Sequence, residues 1–301
     1  MNDATGKWSR IETHEAILPA RQPVTGLLTN EAIARFARSW TVKERFDRGS
    51  LRSALEAPDA ASADRILDGF IQGQLPAVPL DAVIGNLPRF WLELAKANSC
   101  PRRSVWTKGH PLPKRRQIEC AIENCIFADL IFELPNLATD QKGVQGPLLY
   151  FRDSGLLLYF IDSIKEGDLS NIGMELNDTE FSRRRSKIVR DWTQAENFRW
   201  EGFVIDALRA MSKGRAFAHY WRRDDNEIDL VLENQNRERW GVEITHGNPR
   251  SKPKEGFFRA EQHLQLSRRS VIARNSVGPV RRGVECLDLP QALHEVKRWL
   301  R

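Results

Sequence analysis

Cysteine is scarce in this chain and poorly placed for a framework. Cys100, Cys120, Cys125 and Cys286 are the whole set. No C-x-x-C spacing or nearby histidine pattern joins them, so neither a zinc site nor a disulfide scaffold is signalled, and reduced thiols are expected. Long apolar runs are missing as well. No stretch approaches the roughly 18 apolar residues that span a bilayer. The opening MNDATGKWSRIETHEAILPARQ has no apolar h-region. Secretion and membrane partners are therefore not expected, and a cytoplasmic address is. The phosphate-cradling pattern G-x-x-x-x-G-K-[ST] is lacking too, so no bound nucleotide is expected. Internal repeats and low-complexity tracts are not found.

What is present suits a folded protein. With 301 residues and 41 % apolar content the chain can bury a real core and is long enough for two domains. Lys and Arg number 46 against 40 Asp and Glu, a net charge of +6 that suits a polyanionic partner without requiring one.

Along the chain, residues 1–28 mix charge, Pro and Gly without a period and read as a loosely ordered arm. Helical spacing follows over Asn30 to Trp40, Ser50 to Leu55 and Ser62 to Ile71, with Asp59 and Ser62 as caps. A strong helix is expected over Leu87 to Ala97, with Phe90, Trp91 and Leu94 on one stripe. From Lys96 to Gln117 there is no acidic residue, while Lys96, Arg102, Arg103, Lys108, Lys114, Arg115 and Arg116 carry positive charge. A helix over Arg115 to Ala128 and a strand over Leu130 to Leu134 come next. A basic loop, a helix and a β return are the ingredients of a winged helix, in which Lys and Arg hold backbone phosphates. Residues 29–146 are therefore expected to form a helical, winged-helix-like region, with Arg102, Arg103, Lys108, Lys114, Arg115 and Arg116 as nucleic-acid contacts. A solvated charged loop would account for the same residues.

After a polar loop over Asp140 to Gly146, a strand is expected over Leu148 to Phe151 and a buried helix from Ser154. The charged stretch Glu166 to Arg190, with the triplet Arg183, Arg184 and Arg185, reads as surface. A helix follows from Glu196, with Trp200, Phe203, Val204, Ala207 and Leu208 at helical period and Glu201 among them. Ala216 to His246 reads as three short strands joined by turns at Asp224, Asp225 and Asn226 and at Asn234 to Arg237. Ile228, Leu230 and Leu232 alternate with Glu227, Asp229 and Glu233. Trp240, Val242 and Ile244 alternate with Arg239, Glu243 and Thr245. If the second turn centres near Asn236, Asp229 lies across from Glu243 on the neighbouring strand, close enough for one cation to touch both. His219 and His246 flank these strands and read as hydrogen-bonded or surface histidines rather than ligands. A helix over Lys252 to Leu266, strands over Ser270 to Ala273 and Gly283 to Leu289, and a helix over Pro290 to Leu300 complete an α/β arrangement, a mixed sheet flanked by helices.

YFRDSGLLLYFI, WEGFVIDAL, YWRRDDNEIDLVLE and WGVEIT, in this order and at these separations, resemble the C-terminal region of a prokaryotic AAA-type ATPase family, domain of unknown function 4143. That region is similar to the PD-(D/E)xK restriction-endonuclease-like fold. A weaker likeness runs back through the basic block, so that it spans most of residues 60–300. The resemblance implies a restriction-endonuclease-like domain over residues 147–301. It also implies that Glu201 is the helix carboxylate of a nuclease-like site, and that Asp229 and Glu243 are its metal-binding carboxylates, with Mg²⁺ as the metal. Where the family pattern places a lysine, this chain has Thr245. The ATPase half has no counterpart here.

The substitution bears on the chemistry. Phosphodiester hydrolysis needs a hydroxide and charge compensation at the transition state, and carboxylate-held Mg²⁺ supplies the first and part of the second. Loss of a positioned cation typically costs on the order of 100- to 1000-fold in rate. Lys252 or Lys254 could replace it only from a loop, where preorganisation is poor. Three functions are compatible with these residues. The favoured one is a nucleic-acid-binding protein, for DNA, on a nuclease-like scaffold with a degenerate site at Glu201, Asp229, Glu243 and Thr245. The others are a Mg²⁺-dependent DNA nuclease and an interaction module that docks a separate ATPase subunit or another protein.

Overall fold

The structure, a computed structural model, describes residues 42–48, 56–73, 87–102, 115–137, 146–166, 192–223, 226–247, 255–274 and 283–301. The expected arm, the helices over 30–40 and 50–55, the stretch 167–190, the turn residues Asp224 and Asp225, and Lys252 and Lys254 lie outside the described residues. In chain order the helices are α1 (Val42–Arg48), α2 (Ala60–Gly73), α3 (Leu87–Lys96), α4 (Arg115–Phe127), α5 (Ser154–Glu166), α6 (Trp192–Ser212), α7 (Glu255–Leu264) and α8 (Leu289–Trp299). The strands are β1 (Cys100–Pro101), β2 (Ile131–Leu134), β3 (Leu148–Phe151), β4 (Ala216–Arg223), β5 (Asn226–Asn234), β6 (Arg239–Thr245), β7 (Arg268–Ala273) and β8 (Glu285–Leu287).

They form two sheets. The smaller has the order β1-β3-β2 and is antiparallel throughout. The larger has the order β4-β5-β6-β7-β8, antiparallel from β4 to β6 and parallel from β6 to β8. The mixed sheet expected from the order of elements is therefore present, with helices on both of its faces.

Strand β3 explains how the layers stack. Its sequence LLYF is apolar at every position, the pattern of a strand covered on both sides. Leu149 and Phe151 pack with Trp91, Ile122 and Phe160 under helices α3 to α5. Leu148 and Tyr150 point the other way, toward Trp200, Val204 and Leu208 of α6. The same cluster continues through α6 into Leu230, Leu232, Trp240 and Val242 of the larger sheet. Helix α6 is thus a middle layer between two sheets. The opposite face of the larger sheet is covered by α7, through Val231, Val271, Phe257, Ala260 and Leu264. Burying each such large apolar side chain contributes roughly 1.5–3 kcal/mol, so the two faces together hold the sheet in place. Because β3 pairs with both β1 and β2, the smaller sheet spans the boundary expected between residues 146 and 147.

Local signals fix several ends. Asp59 accepts from the Ser62 amide at 2.7 Å and caps α2. Asp288 caps α8 with a capping box to Gln291, and a proline in the first turn completes the start. Gly241 in β6 lets the chain after α7 approach closely, since a Cβ there would lie 2.4 Å from Leu266 Cδ1.

Candidate functional site

Glu201 sits on α6 beside Trp200, whose ring is fully buried. Its Oε1 accepts a hydrogen bond from the Tyr150 hydroxyl at 2.6 Å and another from Ser99 Oγ at 2.9 Å. Two local features make this meeting possible. Gly202 removes the Cβ that would stand 3.0 Å from the Tyr150 ring, so β3 can lie against the helix. Ser99 has the left-handed φ of 63°, which turns the chain from α3 into β1 and delivers its hydroxyl. Loss of hydration pushes the Glu201 carboxyl up to about 8, and the negative charge of Asp229 adds to the rise. The bonds from Tyr150 and Ser99 oppose that rise without cancelling it. Burial also pushes the Tyr150 phenol well above its usual range, with Glu201 reinforcing the effect. The balance favours the protonated form of Glu201.

Asp229 lies on β5 where the strand is irregular. His219 pairs with Val231 and Trp221 with Ile228, so Tyr220 on β4 faces two residues, Asp229 and Leu230, on β5. Such a bulge bends a strand and redirects side chains. Asp229 Oδ2 accepts from the Ile244 amide of β6 at 2.7 Å, and its charge is felt at both Glu201 and Tyr150.

On β6 the register pairs Leu230 with Val242 and Leu232 with Trp240. The observed pairing ends there, and Asp229 lies beyond it in the bulge. Glu243 is in different company from Glu201. Val242 packs in the α6 layer, whereas Gly241 meets Leu266 on the α7 side. Alternation along the strand therefore puts Glu243 and Thr245 on the α7 side too. Glu243 is 7 % exposed. The structure thus brings Glu201 and Asp229 together and sets Glu243 and Thr245 on the far face from α6. Among the described residues no group of three or more His, Cys, Asp or Glu side chains is arranged to hold a metal ion.

The basic block is only partly described. Arg102 is committed to Glu123 at 3.0 Å, Glu133 at 3.1 Å and the Glu119 carbonyl at 3.0 Å, and so ties β1 to α4 and β2. Arg115 pairs with Glu119 one turn along α4, Arg116 is exposed, and Arg103, Lys108 and Lys114 lie outside the described residues. His246 is 2.6 Å from an Arg274 nitrogen, and burial, then Arg274, holds its pKa below the usual histidine range. Burial also lowers His219.

Sequence reasoning missed Tyr150 and Ser99 as partners of Glu201, because 51 and 102 residues separate them from it. The apolar run around Tyr150 does forecast a doubly covered strand, and so a buried hydroxyl in need of a partner.

Among the described residues no helix is long and apolar enough to cross a membrane. No curated protein and no solved structure matches the chain significantly. Residues 197–291, from within α6 to the start of α8 and including Glu201, Asp229, Glu243 and Thr245, match a family described as Domain of unknown function (DUF4143).

Proposed function

We propose that this chain is a nucleic-acid-binding protein on a PD-(D/E)xK-like scaffold whose acidic site does not cut. The observation that carries the reading is the run α6, β4, β5, β6, α7, β7: a helix, a three-stranded antiparallel meander, a helix, and a strand parallel to the last of the three. That order supports the nuclease-like scaffold implied by the family resemblance, and the matched span 197–291 covers it. Glu201 and Asp229 meet where α6 crosses the bulged strand, as a nuclease-like site would require of its first two acids.

The chemistry of these groups does not fit Mg²⁺. Asp229 is already engaged by a backbone amide, Glu243 lies toward α7, and Thr245 brings a neutral hydroxyl where a lysine would compensate transition-state charge. What remains is binding, favoured by the net charge of +6 and by phosphate contacts from exposed basic side chains.

The test combines two measurements on the full chain. Labelled DNA followed by fluorescence anisotropy should bind, with affinity falling steeply as salt rises. Plasmid incubated with Mg²⁺ or Mn²⁺ should stay intact. Metal-dependent nicking that disappears in Asp229→Ala would overturn the non-cutting reading in favour of a nuclease. A failure to bind DNA at low salt would overturn nucleic-acid binding itself and leave the chain as a module that docks a separate ATPase subunit or another protein.

A further inference from the structure

The two sheets touch at their edges and then part. Asn136, just beyond β2, forms a parallel bridge with Tyr220 of β4. The Tyr220 amide donates to the Pro135 carbonyl at 2.9 Å, and the Leu137 amide donates to the Tyr220 carbonyl at 2.8 Å. Toward the start of β4 the edges diverge, leaving a cleft of about 690 Å³ between β2, the C-terminal end of α6 and the segment Ala216–His219. That volume falls in the range of ligand sites.

The charge left over in this cleft is positive. Its carboxylates are taken: Asp129 and Asp206 by Arg152, and Glu133 by Arg102 at 3.1 Å. Three of its cations form no salt bridge, although Arg209 feels the charges of Asp206 and Asp129 and Arg215 donates to the Met211 carbonyl at 3.4 Å. Among the described residues no carboxylate lies within ion-pair distance of Arg209, Lys213 or Arg215, while Arg102, Arg152, Arg222, Arg237, Arg239, Arg268 and Arg269 all form such pairs. Lys213 and Arg215 flank Gly214, whose φ of 77° makes the tight turn that presents both side chains to solvent at the mouth. The guanidinium of Arg209 lies 4.1 Å from the Phe132 ring centroid, so its planar fork is held in place by the wall. Phe217 stands between these cations and His219 and is 68 % exposed, beyond any other described large apolar side chain.

An exposed aromatic face beside cations outside any salt bridge is the combination that single-stranded nucleic acid uses. Bases stack on the ring and phosphates meet the charges. Duplex bases are already stacked on one another and gain nothing from Phe217. We propose that this cleft seats a single-stranded nucleic acid, with a base on Phe217 and backbone phosphates held by Lys213, Arg215 and Arg209. The proposal rests on the nucleic-acid-binding reading and gives it a location other than the Glu201 and Asp229 region.

The test uses the full chain, a labelled single-stranded DNA oligomer, its duplex, and oligoglutamate as a competitor of similar charge. Single strands should bind more tightly than duplex. Phe217→Ala should weaken single-strand binding by about 5- to 100-fold with little effect on duplex. The double variant Lys213→Glu and Arg215→Glu should weaken it by about tenfold or more and flatten its salt dependence. All three side chains are exposed, so both variants should melt like the wild type, and melting curves check that they do. If the wild type binds single strands and neither variant differs from it, the cleft is excluded while nucleic-acid binding stands. If the wild type binds no DNA at all, both proposals fall. If oligoglutamate displaces the oligomer as well as unlabelled DNA does, the cleft is a site for acidic peptides and the proposal is overturned.

Discussion

Helix α6 borders two polar regions that treat charge in opposite ways. Near its middle, Glu201 is surrounded by groups that satisfy or suppress it: two hydroxyls donate to one oxygen, and burial with Asp229 nearby keeps the proton on. At its C-terminal end, Arg209 and Lys213 open onto a cleft where the acids are already spoken for. The first region has the residue types of a catalytic centre and little free charge. The second has no catalytic signature and charge to spare. The lesson is that partners, rather than identity, decide what an ionisable side chain can offer to a ligand.

The severest way to break the comparison is to remove the helix that serves both regions. Trp200 is fully buried between Phe46 and the larger sheet. Trp200→Ala should cost about 3–5 kcal/mol in chemical denaturation and degrade the two regions together. A weaker intervention separates them. The Glu201 carboxyl is raised from its ordinary 4.5 to about 8, so the folded chain keeps a proton that the unfolded chain gives up. The stability this contributes is fully present below about pH 4.5 and is lost as pH climbs from there to about 8, by at most about 1.4 kcal/mol per pH unit. Glu201→Gln keeps an acceptor for Tyr150 and Ser99 but cannot ionise. Its melting temperature should lose most of this decline between about pH 4.5 and 8 while DNA affinity stays unchanged. A decline of equal slope in the variant would assign the titration elsewhere. The smallest effect is expected at Arg115, whose pair with Glu119 is exposed. Arg115→Ala should change stability by less than about 0.5 kcal/mol and weaken DNA binding less than the Lys213 and Arg215 changes do.

Much of the larger sheet was legible in the sequence. Alternation in NEIDLVLE and RWGVEIT gave the strands, and the polar turn near Asn236 gave the register as far as Leu230 opposite Val242. The site was less legible, because three of its determinants are not local. The bulge at Asp229 and Leu230 lies opposite Tyr220, which also bonds Pro135 and Leu137 just beyond β2. Glu201's behaviour depends on hydroxyls from β3 and the turn before β1. The expectation that Arg102 contacts nucleic acid rested on a stretch without acids, whereas its partners Glu123 and Glu133 come from beyond that stretch. Periodicity reports which face a residue takes, and only the packed chain reports who stands opposite.

The larger sheet is also uneven in what it costs to assemble. Its antiparallel half closes through short turns, whereas β7 reaches β6 only after a crossover over residues 246–267 that includes α7. The entropy lost on joining two segments grows with the logarithm of the intervening length. The β4–β6 meander is therefore the cheaper half to nucleate, and the kink that carries Asp229 belongs to that half, ahead of the parallel edge.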